Sequence, residues 1–392
     1  DTTVGAGGAD ASGNNAIAIG GMKNGFETTA SGRNSIAIGS VDVSIGSSLN
    51  TTASGNNAIA FGTAAQAITV DTIAFGYSAT ASGESSNAIG KTATASGVNS
   101  NAMGVGAEAK GTNSIAIGTG AYTYDVGTRN GGVAIGTQAK ASASGAALGE
   151  NTYANDAAVA IGLDSTTGVS SVSIGQGAKS PGSSSIALGT FSKAEATQSV
   201  AIGHFANTIG KDSVAIGSET VATNQDVAIG WQAKATSNNG QSVAIGQETT
   251  VEGAASYAIG LQSKIGKNSW SSIAIGTIAK VEENSQNAIA IGNAAKVKGE
   301  NTTAIGQGAE TSANQSNAFG LGAKASGADG TAIGTNSQAA ASQTNAIGSN
   351  ATASAWGANA IGVSSVGYGQ GANAFGVGAK AVANYTNAMG YE

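Results

Sequence analysis

The 392-residue chain contains no cysteine, so neither disulfides nor thiolate metal sites hold its fold together. This absence leaves the compartment open, because it suits folding outside the cell and inside it alike. Proline occurs once, at Pro181, aromatic residues make up 5% of the chain and charged residues 10%. So few large side chains cannot fill the wide cores of the two or three globular domains that such a length would otherwise suggest. The net charge of −6 is spread thinly. Without clustered Lys and Arg to neutralise phosphates, nucleic acid is not an expected partner. No charged segment leads into an apolar one after Asp1, and no run of about 18 apolar residues occurs, so neither an export signal nor a membrane span is expected within these residues.

What is abundant is small. Gly numbers 61, yet hydrophobic residues still reach 41%, too many for disorder. The chain is built on a tag of the form Ile/Val/Asn-Ala-Ile-Gly, first at Ile17-Ala18-Ile19-Gly20 and last at Asn387-Ala388-Met389-Gly390, 26 copies in all. From Gly62 onward most tag glycines lie 14 residues apart, others 13, 16 or 18, and the seven steps from Gly292 are all 14. A 14-residue period is too short for helical pairs but suits one solenoid coil of two short strands and two turns. Fourteen is also two heptads, but a Gly in every tag, at about 1 kcal/mol each in a helix, rules out a coiled coil.

Within the tag, large, small and large residues alternate, so the strand has two unlike faces. The middle residue is Ala in every copy except Ser173. A second alternation follows each Gly, as in Ala323-Lys324-Ala325 and Ala379-Lys380-Ala381. The small residues of both strands then face each other across a narrow interior that admits little beyond Ala and Ser. The tag Gly supplies φ > 0 at one corner, and Ser-Gly-Asn pieces such as Ser12-Gly13-Asn14 form the other. The bulky tag residues must therefore point outward. A stripe of Ile19, Ile38, Ile117, Ile161, Ile216, Ile291 and Ile347 is more exposed apolar surface than a soluble monomer tolerates. The expected cover is the same stripe on identical chains about a rotation axis, with three flat faces making a homotrimer.

These residues resemble the YadA-like heads of trimeric autotransporter adhesins, whose motif reads approximately Asn-Ser-Val-Ala-Ile-Gly. Asn34-Ser35-Ile36-Ala37-Ile38-Gly39, Asn113-Ser114-Ile115-Ala116-Ile117-Gly118 and Asp212-Ser213-Val214-Ala215-Ile216-Gly217 match it almost letter for letter. The resemblance implies an all-β fold, a left-handed parallel β-roll of about 26 coils, assembled as a homotrimer. It also implies display on the outer membrane of a bacterium, through anchoring segments absent from this sequence, and attachment to extracellular matrix, host cells or abiotic surfaces. Spacing divides this one continuous head into irregular coils over 1–61, coils of 13–18 residues with insertions over 62–291, and strictly 14-residue coils over 292–392.

Candidate sites follow from the pleat. A Lys recurs four residues after the tag Gly, at Lys140, Lys179, Lys193, Lys234, Lys264, Lys280, Lys296, Lys324 and Lys380. This row is expected to face solvent, either for solubility and edge protection or as a cationic track for an anionic or collagen-like partner. Insertions break the period between Gly20 and Gly39, with Lys23, Phe26 and Glu27, and between Gly118 and Gly136, with Tyr122, Tyr124 and Arg129. The second set holds residue types common in binding hot spots. Trp231, Trp270 and Trp356 fit either a binding role or corner packing. The first tag position turns polar at Thr303, Asn317, Thr331, Asn345, Asn359, Asn373 and Asn387, as Asn ladders near a wet rim or as rings around the axis holding water or an anion.

No catalytic, metal or cofactor site is expected. His204, the only histidine, has no His or Cys partner for zinc or a triad and reads as a turn residue. Acids such as Glu282 and Glu283 are not paired for acid–base work, and no Gly-Lys-Ser/Thr phosphate loop occurs. The alternative to an adhesin head is a structural or ice-binding solenoid. Ice binding would require Thr-x-Thr at one fixed coil position, whereas Thr here scatters among turn positions.

Overall fold

A computed structural model describes residues 4–6, 8–21, 27–40, 50–124 and 131–391. Among these residues the chain forms 53 short strands and no helix. It divides into two compact units, Asp1–Ser192 and Lys193–Glu392, and both are parallel β-solenoids.

In the first unit the tag strands run from Val4–Ala6 to Ile186–Leu188, each paired in parallel with the next, for example Ile59–Phe61 with Ile73–Phe75. The second strand of each coil forms its own sheet, from Asp10–Ala11 to Lys179–Ser180, for example Thr80–Ala81 against Thr94–Ala95. In the second unit the corresponding sets run from Val200–Ile202 to Asn387–Met389 and from Lys193–Ala194 to Lys380–Ala381. The register is set residue for residue: Ala304 pairs with Ala318 and Ala332 with Ala346, so each tag stacks on the same position of its neighbour. Because the side-chain period of a strand is two, this register places all tag alanines on one face.

That face is the interior. Ala88, Ala116, Ala215, Ala332 and their equivalents are fully buried, as are Ala323 and Ala325 of the second strand. Ser and Thr close the interior at the position before the tag, for instance Ser213 and Thr344, whose hydroxyls donate to the carbonyls of Gly210 and Ala341. The interior is not restricted to Ala and Ser, however. Four consecutive coils of the second unit carry Val251, Ile265, Val281 and Val297 inside, the largest buried side chains among the described residues, stacked in register. Val251 and Val297 lie in 14-residue coils, and between them Ile265 and Val281 lie in the 16-residue coils ending at Gly276 and Gly292. Their extra residues add Ser269 and Ser285 to the wall, each hydroxyl accepting a backbone N–H of the next coil, from Ser285 and Gly299 respectively.

Both turns of a coil use left-handed backbone. In the first unit Ala64, Ser78 and Thr92 occupy it after the tag, and Asn57, Asp71 and Ser85 before the next tag, all with φ between 51° and 59°. Asn, Asp and Ser are frequent here because short polar side chains tolerate this region. Phe191 and Tyr385 are bulky exceptions, and each lies over a glycine of the preceding coil: a Cβ on Gly177 would meet the Phe191 ring at 2.6 Å, and one on Gly371 the Tyr385 ring at 3.0 Å.

The tag glycine is the strictest position. Gly217 has φ +129°, and a Cβ there would stand 2.4 Å from the Gly230 carbonyl oxygen of the next coil. Gly217→Ala is therefore expected to destabilise the second unit by about 1–3 kcal/mol. A shift in the urea midpoint would register the loss.

Candidate functional site

Two outward faces carry the exposed chemistry. On the first, the third tag position is Ile, Leu, Phe or Met in every coil, from Ile19 to Leu188 in one unit and from Ile202 to Met389 in the other. Ile19, Ile117 and Ile161 are 44%, 36% and 37% exposed; Ile38, Ile216, Ile291 and Ile347 are half-buried by their stacked neighbours. Phe61 and Phe75 stack one coil apart with ring centroids 4.9 Å apart and planes 7° from parallel. The alternation thus resolves as inward alanines and outward isoleucines.

The first tag position borders this row. Where it is polar it forms amide ladders: Asn345 Nδ2 donates to Asn359 Oδ1, Asn359 to Asn373 and Asn373 to Asn387, each at 2.8 Å. Asn87 and Asn101 repeat the contact at 2.8 Å. The same Nδ2 groups of Asn359 and Asn373 also donate to the carbonyls of Gly357 and Gly371 at 3.4 Å. The donors are therefore used along the chain's own stack.

The second face carries the lysines. Lys140 and Lys179 in the first unit, and Lys193, Lys234, Lys296, Lys324 and Lys380 in the second, are exposed on the second strand, with Lys264 and Lys280 half-buried. They do not form a continuous track. Lys140 lies between Tyr122 and Tyr153, and Lys324 between Glu310 and Gln338. Within the second unit Lys264, Lys280 and Lys296 stack on three successive coils.

Tyr122 belongs to this face, not to the insertion that follows it. Its ring packs edge-on against Tyr124 at 4.5 Å, and Lys110 Nζ donates to its Oη at 2.9 Å while lying 4.6 Å from the ring centroid. Lys110 also pairs with Glu108 at 2.9 Å. The Glu108 carboxylate and then the Tyr122 hydroxyl hold the Lys110 ammonium above its ordinary range. The offset that marks the lysines would have found both tyrosines, since four residues after Gly118 and Gly149 stand Tyr122 and Tyr153. Arg129, Lys23 and Phe26 lie outside the described residues.

Other expectations resolve at single residues. His204 sits exposed in a turn, its ring edge-on to Phe205 at 4.2 Å. Trp231, Trp270 and Trp356 all stand in turns, about half exposed. Thr does not merely scatter among turns: Thr29 pairs with Thr52, and Thr80 with Thr94, at the outward position of the second strand. Gln66 interrupts the series and Glu108 ends it, and each coil offers one outward Thr, followed two residues on by Ser, so no Thr-x-Thr array forms.

Asp226 gives no sign of its role in the sequence. It is fully buried where other coils place Ser, Thr, Ala or Gly. Its Oδ1 accepts the Ser242 N–H at 2.9 Å, and its Oδ2 accepts the Ser237 N–H and the Thr223 hydroxyl at 3.1 Å each. The carboxylate thereby fastens the 16-residue coil that follows. Burial pushes its carboxyl above the ordinary carboxylate value, against the opposing hydrogen bonds from Ser242, Ser237 and Thr223. A raised folded-state value means that stability is fully present below the unfolded value of 3.8 and declines as pH rises through the folded one. Asp226→Asn must turn its amide nitrogen toward a backbone N–H, and a loss of about 1–3 kcal/mol is expected. Melting curves across acidic pH check this, with the wild type gaining on the variant as pH falls.

A parallel β-solenoid with an alanine interior, an outward aliphatic row and a polar second face defines the class of β-solenoid repeat proteins. The two-copy YadA head domain repeat matches residues 24–40, 53–79, 70–93, 81–100, 95–121, 130–152, 167–192, 194–220, 284–309, 312–337 and 325–351, more than half of the chain. The chain therefore belongs to the YadA head-domain family. Heads of this family are parts of surface-exposed trimeric autotransporter adhesins. Among curated proteins the chain has no match.

Proposed function

We propose that three copies of the chain pack their aliphatic rows against one another about a common axis. The trimer then acts as a bacterial adhesin head, attaching to extracellular matrix, host cells or abiotic surfaces through repeated contacts of its outer faces. Display is from the outer membrane, through anchoring segments beyond this sequence. The observation that carries the reading is the unbroken Ile/Leu/Phe/Met row, half-exposed in the single chain. Covering an aliphatic side chain contributes about 1.5–3 kcal/mol when it starts fully exposed. Half that amount at successive coils still exceeds the entropy lost on association, put at about 4–15 kcal/mol.

In this arrangement the lysines and the Tyr122–Tyr124 pair stay outside the aliphatic interface and can meet a ligand. Contacts that are weak singly then add by avidity along three chains. Attachment of head-coated beads to matrix protein, cultured cells and polystyrene tests the reading. Binding to at least one surface is expected, falling as salt shortens the screening length from about 8 Å at 0.15 M to about 3 Å at 1 M. Deleting the 118–136 insertion should leave attachment unchanged where the lysines carry it. Failure of the assembled head to attach to any of the three surfaces would refute the reading.

A further inference from the structure

The three stacked lysines of the second unit stand in a groove of about 430 Å³. Lys264, Lys280 and Lys296 form one edge, one coil apart, and Gly266, Glu282 and Lys298 lie two residues further along the same coils. Like charges directly opposite one another destabilise a sheet, so this stacking runs against the stability of the strands that carry it. Neutralisation is partial. Glu282 Oε1 lies 2.8 Å from Lys280 Nζ and 3.6 Å from Lys296 Nζ, and Glu310 lies 3.8 Å from Lys296. Lys264 and Lys298 form no ion pair among the described residues. Burial pushes the Glu282 carboxyl up, but the hydrogen bond and charge of Lys280, with Lys296, outweigh it and hold the group below the usual carboxylate range. Glu282 is thus a fixed anion between two lysines.

The groove is also shaped. Gly266 leaves one end open, and a Cβ there would meet the Glu283 backbone nitrogen at 2.7 Å and its Cγ at 2.9 Å. Directly behind the lysines, Ile265, Val281 and Val297 replace the usual interior alanines. The basic edge therefore sits on strands that carry the largest buried side chains of the unit.

We propose that this groove binds a linear polyanionic polysaccharide, sulfated or carboxylated, lying along the stack. Its acidic groups meet Lys264, Lys280, Lys296 and Lys298, and its hydroxyls donate to Glu283. The two carboxylates offer acceptors for hydroxyl groups, which a polysaccharide presents along its chain and the deoxyribose–phosphate backbone of DNA does not. The inference deepens the adhesin reading by naming a ligand class for one part of the outer face.

The test uses the assembled head with three immobilised probes: heparin, neutral dextran and single-stranded DNA. Heparin binding is expected, with no binding of dextran and weaker binding of DNA. Replacing Lys264, Lys280, Lys296 and Lys298 together by Gln is expected to weaken heparin binding about tenfold or more and to flatten its salt dependence. The same change at Lys193, Lys234, Lys324 and Lys380, which removes equal charge, should alter it less than about threefold. Glu282→Gln, which removes a competing anion without truncating a side chain, should tighten it. Equal losses in the two lysine variants, DNA bound as tightly as heparin, or no heparin binding by the wild type would overturn the proposal. Attachment of head-coated beads is scored in parallel. Attachment without heparin binding sinks the groove alone, whereas absent attachment sinks the adhesin reading whatever heparin does.

Discussion

A head carrying Ile216→Glu, Ile259→Glu and Ile291→Glu should no longer assemble. In the single chain these positions are partly exposed, so the new carboxylates stay hydrated and the alanine interior behind them is untouched. In the proposed trimer each would enter a row shared by three chains, where an unpaired buried charge is penalised by several kcal/mol. Nine such charges, at several kcal/mol each, set a penalty of tens of kcal/mol against association. The expected outcome in size-exclusion chromatography with light scattering is loss of the wild-type mass, with the β-type circular dichroism retained. Thr250→Glu, Gln338→Glu and Thr352→Glu place the same charge on the second face and should leave the mass unchanged. A triple Ile variant eluting at the wild-type mass would show that the row is not the interface.

Ala332→Leu should be among the most damaging single changes available to the second unit. Ala332 is fully buried and stacked between Ala318 and Ala346, with Ala325 and Ala339 also inside. Adding three carbons to a closed tube with backbone on both sides leaves no rotamer that avoids a clash, and the expected loss is about 3 kcal/mol. Gln338→Leu, exposed a few residues away, should change stability by less than about 0.5 kcal/mol. Urea unfolding of the two variants separates the cases, and a well-tolerated Ala332→Leu would mean that the interior is wider than the alanine stack implies.

The elements that proved readable in the sequence share one property, namely strict recurrence. Large-small-large alternation in every tag leaves only one face that can close over alanine, so Ala332 inside and Ile333 outside follow from the pleat. The Asn345–Asn387 ladder follows in the same way, because identical amides one coil apart meet in register. Departures from recurrence were not readable. Val281 looks like any β-branched strand residue until it is seen stacked inside the tube between Ile265 and Val297. Asp226 looks like a turn aspartate, and its burial depends on Ser237 and Ser242, 11 and 16 residues away. The lysine row was legible as a list of positions but not as a pattern, since its continuity depends on what separates the lysines. Tyr122 and Tyr153 interrupt it in one unit, while three lysines stand together only at 264–296 in the other.

The most direct test of the account is the mass of the unmodified head in solution, followed by sedimentation from micromolar to low nanomolar concentration. Burial of the aliphatic row between sister chains predicts a single species of three times the chain mass across that range, without folded single chains. A well-folded, monodisperse single chain that persists on dilution would contradict it, because the half-exposed row would then be stable in water with nothing to cover it.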